Sequence, residues 1–578
     1  MKENKYRTLY CGEVRKEHVG KEIKLAGWVN SIRNLGKLLF ITLRDETGIV
    51  QLISEEVDKY INITRESTIT VSGVVQNRTP DMVNPKMKTG EIEVLLNSIE
   101  VLGECANILP FEVSRSKDST EETRLKYRYL DLRNEEVHNN ILFRSKVIDF
   151  IRTEMKSMDF TEIQTPIITA SSPEGARDFI IPSRKYPGKF YALPQAPQIF
   201  KQLLMVSGFN KYFQFAPCFR DEDQRSDRLY GEFYQLDFEM SFATDEDVYS
   251  VGEKVFYDIF TNFSDKEVSP MPFRRIKYKD AILKYGTDKP DLRNPLIIED
   301  ITDIMNKSSF EPFKNKTIRC IKVDTIDKSN SWYKQMEEYV KFIGGVLGYI
   351  KVTENNIFKS SLDKFLNDDI RNELINKLYL KEGNVLFIIA DDKKCAKLMG
   401  NLRIKLGEEL NLIDKNKYEF CIVNDFPFYE EDEETGKMEF SHNPFSMPQG
   451  GLDALNNKNP YEIEAYQYDF VCNGYEMASG GVRNHSREIL KKAFELVGYD
   501  EEIVMSKFPS LYEAFKYGAP PHAGMAPGID RIIMLLKDEE NIREIVPFPL
   551  SANGSDPMMG CPNEVFEEQL KDVHIKIK

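Results

Sequence analysis

Over the first hundred residues, apolar and polar side chains alternate with the two-residue period of half-buried strands. Segments 23–33 (IKLAGWVNSIR), 38–44 (LLFITLR), 49–53 (IVQLI), 68–76 and 91–102 (EIEVLLNSIEVL) are rich in β-branched residues or alternate, as strand pleats favour. Turn residues stand at 36–37 and 46–48, and the polar stretch 55–66 predicts a short helix between the third and fourth strands. Five strands with a helix after the third is the order of a small Greek-key barrel, though other small β domains share the spacing.

Beyond the barrel the pattern changes. A polar connector ends in LKYRYLDLR, and Ile141, Leu142, Ile148, Ile151 and Met155 then fall at helical spacing. Strand-like and helical segments alternate to about residue 263. A Lys-, Asp- and Ile-rich stretch, 294–418, carries no evident chemistry and reads as an insertion; strand-like runs resume at 418–424. The predicted class is α+β multidomain: a barrel (1–104), a hinge (105–133), an α+β domain in two parts (134–274 and 421–578), and an inserted α+β module (275–420).

Length and composition agree. A chain of 578 residues exceeds one core, and 41% hydrophobic with 30% charged residues is ordinary for a soluble protein. No stretch approaches the roughly 18 apolar residues of a membrane helix, and the N-terminus lacks a secretion signal's apolar core, so a cytoplasmic protein with no membrane association is expected. The eight cysteines are scattered without a CxxC pair, and the six histidines show no ligand spacing; buried thiols and no zinc are expected. A net charge of −15 disfavours non-specific nucleic-acid binding more than selective binding through a local basic face.

Three segments concentrate chemistry: 218–242 (CFRDEDQRSDRLYGEFYQLDFEMSF), 468–485 (YDFVCNGYEMASGGVRNH) and 517–536 (YGAPPHAGMAPGIDRIIMLL). Arginine offers a fixed, permanently charged fork for phosphate and carboxylate oxygens. Carboxylates beside it suit magnesium, and an aromatic gives a purine a stacking surface. Arg220, Arg531, Asp469, Glu476 and Phe233 would together form an ATP site in a chain without a GxxxxGK[ST] loop. Any one of them alone reads more readily as a surface ion pair or a strand aromatic.

FRDED followed by GEFYQLD resembles motif 2 of the class II aminoacyl-tRNA synthetases, GIDR their motif 3, and FTEIQTP their motif 1 with Pro166 at a dimer interface. SPEGARDF (172–179), ALPQAPQIFKQLL (192–204), GAPPHAG (518–524) and KYGTDKPDLRNP (284–295) narrow the resemblance to bacterial-type aspartyl enzymes, from TLYCGEV almost to the last residue. The resemblance implies a homodimer that activates L-aspartate with ATP and Mg2+ and charges tRNA-Asp. Its N-terminal domain would be an oligonucleotide-binding (OB-type) barrel, and its catalytic domain an antiparallel sheet interrupted by the insertion.

It further implies site residues. Glu174, Gln198, Lys201, Arg220, Asp237, His442 and Arg483 would hold aspartate, with Arg483 on the side-chain carboxylate. Arg220, Asp221, Glu222, Phe233, Glu476, Gly528, Ile529, Asp530 and Arg531 would hold ATP. Arg220, Arg531 and Glu476 would carry catalysis, and Asp469 and Glu476 would bind magnesium. Arg33, Phe40, Gln51 and Glu93 resemble the set that reads the anticodon. Without the resemblance, Phe40 would read as core, His442 as a turn cap and Glu93 as a solvated strand face.

Motif 2 departs from its relatives through RLYGEF, one residue longer before Phe233, with Leu229 where a polar ATP contact is common. Asn443 replaces a second histidine, and Pro527 a phenylalanine. Some relatives also charge tRNA-Asn, often with histidine and glycine in two anticodon-facing loops. Leu35 and Met82 (or Val83) stand there here, and strict discrimination is expected. The competing readings are an asparaginyl or lysyl enzyme, a non-catalytic paralogue, and a tRNA-independent asparagine synthetase.

Overall fold

The computed structural model describes residues 3–171, 175–223, 225–432 and 435–578. They divide into two compact units, Met1–Ser119 and Thr120–Lys578.

The first unit is a closed five-stranded barrel in the order β1-β2-β3-β5-β4: β1 Glu22–Asn34, β2 Leu39–Asp45, β3 Gly48–Ser54, β4 Thr68–Asn77 and β5 Ile92–Gly103. A short helix, Val57–Tyr60, follows β3, where the polar stretch predicted one. Alternation sets the two faces. Leu39, Ile41 and Leu43 of β2 are fully buried in the barrel core with Val29, Val50, Leu52, Ile69 and Val94, while the residues between them face outward.

The second unit is built on an eight-stranded sheet. Its strands are β6 Thr161–Glu162, β7 Lys211–Arg220, β8 Gly231–Ser241, β9 Arg274–Lys277, β15 Phe420–Pro427, β16 Glu464–Cys472, β17 Tyr475–Val482 and β18 His522–Pro527, in the order β9-β15-β16-β17-β18-β8-β7-β6. The central pairs are antiparallel, and the two edge pairs, β9 with β15 and β6 with β7, are parallel. Leu236, Phe238, Tyr468, Phe470, Ala523 and Met525 enter the main core beside helices Glu135–Ser157, Asp245–Phe263 and Ile529–Leu536. The opposite face of the same strands is polar.

Between β9 and β15 lies a separate five-stranded sheet: β10 Ile298–Asp300, β11 Thr317–Val323, β12 Leu347–Thr353, β13 Ile357–Lys359 and β14 Val385–Asp391, ordered β10-β11-β14-β12-β13. Period-two alternation on β14 gives it two cores, with Val385, Phe387 and Ile389 in one and Leu386 and Ile388 in the other. Because β9 pairs with β15, the main sheet closes around this insertion at its edge.

The end of the polar connector, residues 121–133, forms two short helices, Glu121–Lys126 and Arg128–Asp131, anchored by charge. Fully buried Asp131 receives both Arg124 (3.1 Å) and Arg128, and Arg124 also makes a two-pronged contact with Glu544 at 2.7 and 2.8 Å. Burial works against the Arg124 charge, but Glu544 and Asp131 outweigh it and raise its pKa; burial dominates at Arg128, whose pKa falls. All eight cysteines are free thiols, six of them buried. No helix among the described residues is long and apolar enough to cross a membrane.

Candidate active site

Strand register brings distant residues onto the polar face of the main sheet. Arg220 lies opposite Gly231, Cys218 opposite Phe233, Gln214 opposite Asp237, Glu239 opposite Gly524, Gly481 opposite Gly524, and Asp469 opposite Ser479. Directly opposed side chains share a face, so Arg220, Phe233, Asp237, Glu239 and Asp469 point the same way. The Arg220 guanidinium lies 5.0 Å from the centre of the Phe233 ring.

At the centre is a buried charge network. The Lys201 ammonium donates to Asp237 Oδ2 at 2.7 Å and stands 3.5 Å from Glu239 Oε2. Arg483 donates through Nε to Glu239 Oε1 at 2.9 Å and through Nη2 to Glu239 Oε2 at 3.2 Å. All four side chains are almost completely buried. Burial opposes ionisation of Glu239, but Arg483 and Lys201 outweigh it and hold its carboxyl below the ordinary value. At Asp237 burial wins over Lys201 and pushes the carboxyl up.

Local structure explains how this network forms. Lys201 lies on helix Gln198–Val206, one turn after Gln198. Arg483 follows β17, and its N–H donates to the His522 carbonyl at 2.8 Å. Gly524, in GAPPHAG, leaves room for the network: a Cβ there would stand 2.1 Å from the Phe238 carbonyl oxygen and 2.3 Å from Glu239 Oε2. His522 is fully buried; burial lowers its pKa, while Glu239 acts in the opposite sense.

A second cluster lies on β16 and β17. Asp469 is buried and Glu476 half-buried, and between them stands the ammonium of Lys289, 3.8 Å from Asp469 Oδ2, 3.3 Å from Glu476 Oε2 and 2.6 Å from Asp288 Oδ2. Burial and then Glu476 push the Asp469 carboxyl well up, against Lys289. Burial opposes the Lys289 charge, but Asp469, Glu476 and Asp288 hold its pKa above the ordinary value. His442 packs edge-on against Phe426 at 4.8 Å, its pKa lowered by burial and then by Lys289.

Arg531 sits in the first turn of helix Ile529–Leu536 and donates to the Glu476 carbonyl and to Asp227 Oδ2 (3.2 Å). Gly528 caps that helix, and its N–H donates to the Met477 carbonyl at 2.9 Å. Ile529 is fully buried in the core. The Asp530 carboxylate is committed to Arg144 and to the Tyr234 N–H at 3.1 Å. Glu222 pairs with Arg228 at 2.6 Å. In the longer motif 2 turn, the Tyr230 hydroxyl donates to Asp221 Oδ1 at 2.9 Å, its ring stands edge-on to Phe179, and Leu229 is buried in the core. These contacts fasten the turn to its surroundings. Glu174 lies outside the described residues.

Gln198 Nε2, Arg220 Nε, Asp469 Oδ1 and Arg531 Nε are buried without a hydrogen-bond partner among the described residues. Each such group costs about 1–3 kcal/mol, and together they suit a site completed by a polar, charged ligand. Asp469 and Glu476 fit a hard divalent cation, which takes one or two protein carboxylates and fills its remaining positions with water and phosphate oxygens. No group of three or more His, Cys, Asp and Glu suited to a metal occurs among the described residues.

On the barrel, Arg33 of β1 pairs with Phe40 of β2, and Thr42 pairs with Gln51. Gln51 and Gln76 each donate to Glu93, at 2.8 and 2.9 Å. Since Leu39 and Ile41 point inward, Arg33, Phe40, Gln51 and Glu93 share one outward face. Leu35 and Met82 are 69% and 53% exposed. Glu239, Lys289, Asp288 and Asp227 are the residues that sequence reading passed over. The signal for Glu239 was its spacing two residues after Asp237 on one strand.

Residues 120–552 match the family described as tRNA synthetases class II (D, K and N), and residues 23–102 match an OB-fold nucleic acid binding domain. The chain is 50% identical over 591 residues to the aspartate–tRNA(Asp/Asn) ligase of Rickettsia bellii, covering 99% of this chain and 98% of that protein, and 51% identical, with the same coverage, to that of Rickettsia canadensis. Similar solved structures include a putative aspartyl-tRNA synthetase from Leishmania major (TM-score 0.58, 22% identity, 95% of this chain and 94% of that one). Another is asparaginyl-tRNA synthetase from Pyrococcus horikoshii in complex with asparaginyl-adenylate (TM-score 0.57, 20% identity, 94% and 97%). The barrel, the sheet face bearing Arg220, and the adjoining Arg483 and Arg531 thus sit in a chain that belongs to the class II aminoacyl-tRNA synthetases of the D, K and N group.

Proposed function

We infer that this synthetase is an aspartate–tRNA ligase, and one observation carries the inference. Two buried cations, Arg483 and Lys201, converge on a single oxygen, Glu239 Oε2, at 3.2 and 3.5 Å. Such a pocket matches an amino acid with a side-chain carboxylate, because two buried cations attract a charged carboxylate more strongly than a neutral carboxamide. Asp237 takes the substrate ammonium, Arg483 the side-chain carboxylate with Lys201 and His442 beside it, and Gln198 Nε2 supplies a free donor. Glu174 is assigned to the same substrate through the SPEGARDF motif alone.

In the first step one oxygen of the aspartate α-carboxylate attacks the α-phosphorus of ATP, the bond to pyrophosphate breaks, and aspartyl-adenylate forms. No protein nucleophile is needed; positioning and charge neutralisation do the work. Arg220 binds the α-phosphate and the reacting carboxylate, Phe233 the face of the adenine, Glu222 its amino group, and Arg531 the terminal phosphate, with Asp221 and Gly528 beside the same pocket and Ile529 and Asp530 fixing the helix that carries Arg531. Asp469 and Glu476 would hold Mg2+, which when bound would neutralise phosphate charge. The tRNA 3′-terminal hydroxyl then attacks the adenylate carbonyl and releases AMP.

Arg33, Phe40, Gln51 and Glu93 read the anticodon, an aromatic stacking a base and polar groups reading its edge. Ile167 and Ile168, 47% and 58% exposed directly after Pro166, support a homodimer through motif 1. A substrate tRNA supports a cytoplasmic location for the enzyme.

Leu35 and Met82 support charging of tRNA-Asp alone. A second reading, charging of tRNA-Asn as well, is favoured by the Rickettsia relatives, which are named for both tRNAs. Aminoacylation of separate tRNA-Asp and tRNA-Asn transcripts with aspartate decides between them. Charging of tRNA-Asp is expected in either case, and charging of neither would overturn the ligase assignment.

A further inference from the structure

Lys289 belongs to the loop that leads into the insertion, about 180 residues before Asp469 in the chain, yet its ammonium stands in the middle of the carboxylate cluster. The backbone beneath it is built rather than loose. Gly286 turns the chain at φ +71° against Gly400, where a Cβ would meet Gly400 Cα at 2.6 Å. Arg403, on helix Cys395–Glu409 of the insertion, donates to the carbonyls of Asp291 (3.0 Å), Asn294 (2.6 Å) and Leu296 (2.6 Å), and Asn294 donates back to the Arg403 carbonyl at 2.9 Å. Arg293 clamps Asp291 with two bonds at 3.0 and 2.8 Å. The Lys289 N–H donates to Thr287 Oγ1 at 3.1 Å.

We propose that Lys289 is a resident counter-ion of the divalent-cation site: its ammonium stands between Asp469 and Glu476 in the free enzyme, and the cation binds well only when it arrives with the ATP phosphates. Three observations carry this. The ammonium lies within 4 Å of both carboxylates and competes with any cation for their oxygens. Asp288 Oδ2 already accepts from the ammonium at 2.6 Å and keeps a partner for it when the other two carboxylates turn to a cation. Asp469 Oδ1 is buried and still without a hydrogen-bond partner, so one ligand position stays open while Lys289 faces Oδ2. The triphosphate adds negative charge that offsets the repulsion between ammonium and divalent cation, which near 4 Å is strong. Lys289 is therefore a positioning residue, and through Arg403 the inserted sheet sets where it stands. The inference rests on the assignment of Asp469 and Glu476 as cation ligands, and the test separates the two.

The experiment is binding of Mn2+ to the full-length protein with and without ATP, followed by the electron paramagnetic resonance signal of free Mn2+. Wild type is expected to bind Mn2+ weakly without ATP. Lys289→Met should tighten that binding on the order of tenfold or more, Lys289→Arg should leave it weak, and adding Glu476→Gln to Lys289→Met should abolish the gain. Asp288→Asn, which removes the neighbouring carboxylate, should weaken binding severalfold, and it tests the idea independently if Lys289→Met fails to fold. Unchanged Mn2+ affinity in both Lys289→Met and Asp288→Asn, with Glu476→Gln still weakening binding, overturns the counter-ion role and leaves the carboxylate assignment standing. Insensitivity to Glu476→Gln and Asp469→Asn, with or without ATP, overturns that assignment and this proposal together.

Discussion

Arg483→Leu is the perturbation whose size follows most directly from the structure. The pocket holds two cations, Lys201 and Arg483, and two carboxylates, Asp237 and Glu239, all nearly fully buried. With Asp237 ionised the set is neutral; removing Arg483 leaves an excess of negative charge where a second carboxylate has to bind. Breaking a buried ion pair by deleting one partner costs about 3–5 kcal/mol, and about 1.4 kcal/mol is a decade in rate. Aspartate-dependent exchange of pyrophosphate into ATP should therefore lose roughly two to three and a half decades in kcat/KM.

Glu239 loses both its Arg483 bonds in that variant, so part of the cost appears as reduced stability. The double variant Arg483→Leu with Glu239→Gln relieves the stability cost but not the loss of exchange. Exchange within about threefold of wild type, in an Arg483→Leu protein with a normal thermal unfolding curve, would refute the reasoning.

Other consequences are equally measurable. Arg33→Ala and Phe40→Ala should weaken tRNA charging, with stacking worth about 1–3 kcal/mol per base, while leaving pyrophosphate exchange unchanged; equal loss of both would count against an anticodon role. Asp131→Ala leaves Arg124 without one of its two carboxylates and Arg128 without its own, and should lower stability in urea by about 3–5 kcal/mol; a loss under about 1 kcal/mol would contradict the anchoring role. Burial holds His442 and His522 below the ordinary histidine pKa, so the unfolded chain takes up protons below about pH 6.5 that the folded chain refuses. Their contribution is present above that pH and is lost as pH falls towards their folded values. His522→Gln should make the fall in melting temperature from pH 7.5 to 5.5 shallower; an unchanged slope would contradict this.

How much of this was legible in the sequence varies with how local the signal is. The barrel strands were readable because one face is buried on every strand and alternation records it; the strand expected at 38–44 is observed at Leu39–Asp45. Arg220, Phe233 and Arg531 were readable as a pattern of arginines and aromatics, and the Arg220 guanidinium lies 5.0 Å from the centre of the Phe233 ring. Glu239 was not, because an alternating QLDFEMSF reads equally well as an ordinary half-buried strand until the register sets Glu239 opposite Gly524. Lys289 was hidden by distance: a lysine in a polar loop carries no local sign that folding will carry it to Asp469. Asp530, read within GIDR as part of the ATP pocket, turns its carboxylate to Arg144, a partner 386 residues earlier in the chain.

The buried Arg483–Lys201 pocket is proposed to select a dicarboxylic amino acid for adenylation. Pyrophosphate exchange by the purified protein, with aspartate, asparagine and lysine compared in parallel, tests it most directly. The account predicts exchange with aspartate, and asparagine lower by two decades or more; exchange driven best by asparagine or lysine, or by none of the three, would contradict it.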